Sequence, residues 1–124
     1  MNKEFIPYEE ALALKELGFD EYCLGKWKLE CEGRQEIYYD EEVLNSENEK
    51  YVLCAAPLYQ QAFRWFRKKY NFHYGINMGY EWETEIYDIT KGTCIDTEVN
   101  YSTFEEAELV VLQKFIETIK TKSL

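Results

Sequence analysis

Three glutamates, Glu81, Glu83 and Glu85, occupy alternate positions in Tyr80-Glu81-Trp82-Glu83-Thr84-Glu85-Ile86. Alternate residues of a strand share one face about 7 Å apart, so the three carboxylates form a row. Two such acids could hold a divalent cation or act as an acid/base pair. A cation of that kind needs a cage of oxygens, and nothing in the run completes one. A solvated strand face is the simpler expectation. A second is that the row meets Arg64, Arg67 or Lys68 of a neighbouring molecule.

The other chemistry-bearing residues are sparse. His73 is the single histidine, set between Phe72 and Tyr74. An imidazole can act as a general base, but no serine or cysteine beside it reads as a nucleophile, so a structural or surface role is expected. Cysteines stand at 23, 31, 54 and 94, with no C-x-x-C pair and apolar or aromatic residues close by each. They read as buried free thiols, not as a zinc site or a disulfide framework. No catalytic constellation, metal site or cofactor motif is expected.

Arg64, Arg67 and Lys68 make a basic stripe in an acidic chain. Helix, three strands, helix over residues 57–119 is also the element order of a double-stranded-RNA-binding domain. Those domains grip phosphate with lysines at the start of the last helix. Here that place reads Ser102-Thr103-Phe104-Glu105-Glu106, and two glutamates there repel phosphate. Direct nucleic-acid binding is disfavoured, and the net charge of −10 argues the same way. The stripe, with Glu81, Glu83 and Glu85, is a candidate protein-interaction surface.

These residues need elements to carry them. The clearest is the segment from Pro57 to Tyr70, where Leu58, Tyr59, Ala62, Phe63, Trp65, Phe66 and Tyr70 fall on one arc of roughly 160°. Gln60, Gln61, Arg64, Arg67 and Lys68 fill the other side, and Lys69 can reach water from the last turn. Pro57 suits a first helical position and Asn71 a left-handed stop. A second helix spans Pro7 to Leu17, ended by Gly18, with Phe5 and Ile6 folding back on it. A third opens with Ser102 and Glu105 as a capping box and carries Phe104, Ala107, Val111, Leu112, Phe115, Ile116 and Ile119 inward. Glu108 interrupts that apolar arc, at the edge of the core or against a cation such as Lys69.

Period-two patterns supply the strands. Cys23, Gly25, Trp27, Leu29 and Cys31 share one side of a strand that returns as a hairpin through Gln35 to Tyr39. Residues 40–50 are acidic and read as a loop. Tyr51-Val52-Leu53-Cys54 is a short apolar lead, strand or not. Phe72 to Ile76, Tyr80 to Ile86 and Cys94 to Tyr101 form a meander, with Ile95, Thr97, Val99 and Tyr101 inward on the last. The plan is α+β, an antiparallel hairpin plus a three-stranded meander packed by two or three helices, in the order α-β-β-α-β-β-β-α. One sheet face should be covered and the other wet or paired with another chain.

A length of 124 residues predicts a single domain, and 46% apolar with 17% aromatic content excludes a disordered chain. No run approaches a membrane span, and the first residues lack the apolar core of a signal peptide. Residues 1–56 carry fourteen acids against six bases, whereas 57–124 carry ten against eight.

Phe5 to Asp20, Ala56 to Arg67 and Ser102 to Glu108 resemble a family of small proteins of Bacteroides-type bacteria and their phages. The resemblance covers most of the chain outside 40–50 and parts of the hairpin. It implies a mobile-element gene acting in a bacterial cytoplasm, and it transfers no reaction and no catalytic residue. The expectation is a non-enzymatic phage or prophage interaction module whose partner is a protein, a second copy forming a homodimer among the options. Two alternatives are an acidic decoy that blocks a host nucleic-acid-binding protein, and a small-ligand or metal-binding protein or enzyme using Glu81, Glu83 and Glu85.

Overall fold

The computed structural model describes residues 4–39, 42–47 and 50–122. The chain is α+β, with three helices and two antiparallel three-stranded sheets. It divides into two compact units, one ending at Gln61 and one beginning at Ala62.

The first unit holds α1 (Tyr8–Glu16), β1 (Gly25–Leu29), β2 (Gln35–Tyr38) and β3 (Val52–Ala56), in sheet order β2-β1-β3. Pro7 is extended and precedes α1 as its N-cap. Gly18 ends the helix at φ 98°, a conformation that costs only glycine nothing, and the Phe19 N–H reaches back to Leu14 O at 2.9 Å. The β1–β2 hairpin turns through Gly33 at φ 78°. The lead at 52–56 is a full strand on the other side of β1, so this sheet has three strands where periodicity alone decided two. A β-bulge between Trp27 and Lys28 and a strand that ends at Leu29 break the expected alternation. Lys26 is buried, and Leu29 and Cys31 are exposed. Gly25 is required by a close approach, because a Cβ there would stand 2.6 Å from the Phe5 ring.

The acidic stretch is tied down in part. Val43 is buried and bridges Cys23, while the Asn45 side chain donates to Phe19 O and accepts from the Ala55 N–H, both at 2.8 Å. Asp40, Glu41, Asn48 and Glu49 lie outside the described residues.

The second unit contains most of α2 (Tyr59–Tyr70), then β4 (Phe72–Met78), β5 (Trp82–Asp88), β6 (Thr93–Tyr101) and α3 (Phe104–Lys122). Its sheet order is β4-β5-β6. The apolar arc of α2 is buried as expected: Ala62, Phe63 and Phe66 at 1% exposure or less, Trp65 at 8%. Phe63 meets Tyr74 at 4.4 Å, and Phe66 lies among Trp65, Tyr70, Phe72 and Phe115. Lys69 lays its ammonium 5.0 Å from the Trp65 ring, and Asn71 stops the helix at φ 58°. Pro57 stands before the helix, because its carbonyl accepts the Ile6 N–H and Leu58 bridges Phe5.

Two expectations fail here for physical reasons. The α3 box is shifted by one residue: the Thr103 hydroxyl accepts the Glu106 N–H at 3.1 Å, and the Glu106 carboxylate accepts the Ser102 N–H. In β6, irregularities opposite Trp82–Thr84 and Ile86–Tyr87 reset the alternation. Asp96 therefore stands opposite Ile86 and Glu98 opposite Thr84, while Thr97 and Val99 are exposed.

Candidate functional site

Strand β5 sorts its side chains by burial. Thr84, Ile86 and Asp88 are buried, and α3 packs over this strand. Glu83, Glu85 and Tyr87 alternate to the opposite face, across from Asn77, Gly75 and His73 of β4. Glu81 lies just outside the strand, in the turn after Tyr80, so the expected row keeps two members within β5. Glu85 accepts the Tyr87 hydroxyl at 3.1 Å, and that bond holds the phenol's pKa above its ordinary value. His73 Nε2 lies 3.0 Å from Asn71 Oδ1. Among the described residues no group of three or more His, Cys, Asp or Glu side chains is arranged to hold a metal ion.

Arg64, Arg67 and Lys68 are exposed on α2. The apolar side of that helix meets Phe72 and Tyr74, which alternate onto the covered face of β4. The basic stripe and the pair Glu83–Glu85 thus lie on opposite sides of the sheet and form two surfaces. Lys69 is engaged with Trp65 and Tyr70. Glu108 is buried at 9% exposure, and burial, then the neighbouring Glu105 charge, pushes its pKa up. It sits in the core without that cation. Of the thiols, Cys23 and Cys54 are buried, whereas Cys31 and Cys94 are exposed, against the expectation that all four are inside.

A different cluster forms at the end of the sheet where β4 turns into β5. Register places Met78 beside Trp82 and Trp82 beside Tyr101, one row across three strands. The α3 helix begins there, and the Phe104 ring meets Trp82 edge-on at 5.4 Å. This end stays open: Met78 is 63% exposed, Val99 53% and Phe104 36%, and Tyr80 in the turn is fully exposed. Phe104, expected in the core, is part of this tip.

Carboxylates rim it. Glu81 precedes Trp82, Glu98 lies two positions along the covered face, and Glu105 and Glu106 follow Phe104, while Glu83 folds over Gly79 on the opposite face. None is ion-paired among the described residues. The Tyr101 phenol is pushed up by partial burial first and then by Glu98 and Asp96, with Lys114 opposing them. A scan of protein-family models, a search of curated proteins and a search of solved structures return no match for this chain.

The tip escaped sequence reasoning because its members come from four elements spread over 27 positions. One signal was legible. Between Lys69 and Lys114 the chain has a single Lys or Arg, Lys91. It stands in the turn from β5 to β6, at the other end of the sheet. A separate hollow of about 570 Å³ in the first unit is bounded by Lys28, Leu29, Glu30, Cys31 and Tyr51. No helix among the described residues is long and apolar enough to cross a membrane.

Proposed function

We propose that this chain is a non-enzymatic protein-interaction module, and that the tip of its second sheet is the surface that meets the partner. The observation that carries the reading is the row Met78–Trp82–Tyr101 with Phe104 upon it, where Trp82 and Tyr101 are half-buried and Met78, Tyr80 and Phe104 are exposed. Aromatic and Met side chains are enriched where proteins meet, because they bring large area with few torsions to freeze. A contiguous exposed apolar patch with a polar rim is the usual form of such a surface. The resemblance to proteins of Bacteroides-type bacteria and their phages supports a phage or prophage gene product acting in the bacterial cytoplasm.

The test is site-specific photo-crosslinking in the cell that expresses the protein. Benzoylphenylalanine in place of Tyr80 should give one discrete adduct, identified by mass spectrometry and lost on adding Met78→Asp. The same probe in place of Lys91 should give none. No adduct at Tyr80, or equal labelling from both positions, contradicts the reading.

A further inference from the structure

We infer that the segment docking on this tip is cationic and amphipathic, a partner helix with an aliphatic stripe flanked by Lys or Arg. This rests on the interaction reading above and names the partner's chemistry. Charge favours such a partner. Four carboxylates, Glu81, Glu98, Glu105 and Glu106, lie around the apolar row. The only Lys or Arg between residues 70 and 113 lies in the opposite turn, and Lys114, the nearest cation on α3, is held by Asp96 at 3.5 Å. Acids of one sign around an apolar centre attract a cationic segment and repel acidic ones, which sets partner choice and encounter rate.

Size favours it as well. Two strand spacings separate Met78 from Tyr101, about 10 Å. That matches the diameter of one helix with its side chains, about 10–12 Å. A helix lying on the row would place residues four apart against Trp82 and Phe104, the usual way an amphipathic helix seats in a groove. Its flanking cations would then reach Glu81 on one side and Glu98 and Glu105 on the other. A phosphate backbone or an anionic lipid surface meets the same four acids as repulsion.

The experiment uses the full chain and a fluorescein-labelled synthetic helix of roughly 18 residues built from Leu and Lys, with a Leu/Glu helix of the same pattern as comparison. Fluorescence anisotropy should show the Lys helix binding at least about tenfold tighter, and weakening as salt rises from about 50 to about 500 mM. The triple reversal Glu81→Lys, Glu98→Lys, Glu105→Lys should abolish that preference, and Met78→Asp alone should weaken binding of the Lys helix. The control Glu9→Lys, Glu16→Lys, Glu47→Lys makes the same change in net charge on exposed residues of the first unit and should leave binding unchanged.

Equal affinity for the two helices overturns the inference. So does an equal loss in the control, which would trace the attraction to net charge alone. Binding of anionic vesicles in preference to the Lys helix also overturns it. An adduct at position 80 with an acidic or neutral partner segment overturns the cationic assignment and leaves the interaction reading standing. Absence of any adduct removes the interaction reading itself.

Discussion

The Trp82 ring receives the edge of the Phe104 ring with centroids 5.4 Å apart and planes at 76°. Twenty-two positions separate the two residues, and the chain between them builds β5, β6 and the start of α3. The contact joins the first turn of α3 to the sheet at the end where Met78, Tyr80 and Val99 are open to solvent. The same geometry that exposes the patch therefore fixes its shape.

Edge-to-face aromatic pairs contribute about 0.5–1.5 kcal/mol beyond their buried area. A double-mutant cycle of Trp82→Leu and Phe104→Leu, read by urea denaturation, should return a coupling of about that size. A coupling near zero would mean the rings are not held together in solution.

Thr84 lies at 1% exposure beneath α3, and its hydroxyl has no hydrogen-bond partner among the described residues. An unsatisfied buried hydroxyl costs about 1–3 kcal/mol. Thr84→Val keeps the shape and the β-branch while removing the orphan oxygen. The variant should be more stable by about 1 kcal/mol, seen as a higher urea midpoint with an unchanged slope.

How much could be read from the chain follows from which forces are local. The apolar arc of α2 is a property of twelve consecutive residues, so Phe63, Trp65 and Phe66 went inside as expected. Gly18 and Asn71 punctuate their helices because left-handed backbone selects those residue types. Irregularity is not local in that sense. The β6 bulges depend on what β5 presents across the ladder, and they turned Asp96 to the helix side, where Lys114 lies 3.5 Å away. The tip of the second sheet is legible only once Met78, Trp82, Tyr101 and Phe104 are known to be neighbours. The missing lysines of residues 70–113 could have drawn attention to it earlier.

The four cysteines should divide cleanly by reactivity. Burial pushes the Cys23 and Cys54 thiols up to about 12, so neither forms thiolate near neutrality. Cys31 and Cys94 are exposed. Brief iodoacetamide treatment of the native protein should add two carbamidomethyl groups, mapped by peptide mass to Cys31 and Cys94, and two more only after denaturation. Native labelling of Cys23 or Cys54 would contradict their placement.

Glu108 should make stability depend on pH in the direction opposite to a salt-bridged acid. Burial, with the Glu105 charge adding to it, raises the native pKa above the ordinary 4.5. The unfolded chain then gives up this proton at lower pH than the native protein does. Below about pH 4 both states hold the proton and the burial costs nothing extra. As pH rises through the window from 4.5 to the raised native value, the unfolded state is favoured progressively. Above that window the full penalty remains. Glu108→Gln removes the titration while keeping size and polarity, so variant and parent should be nearly equal in urea stability at about pH 4. At about pH 7 the variant should be the more stable. A parent that is the more stable at neutral pH would show that the ionised carboxylate gains a stabilising partner there.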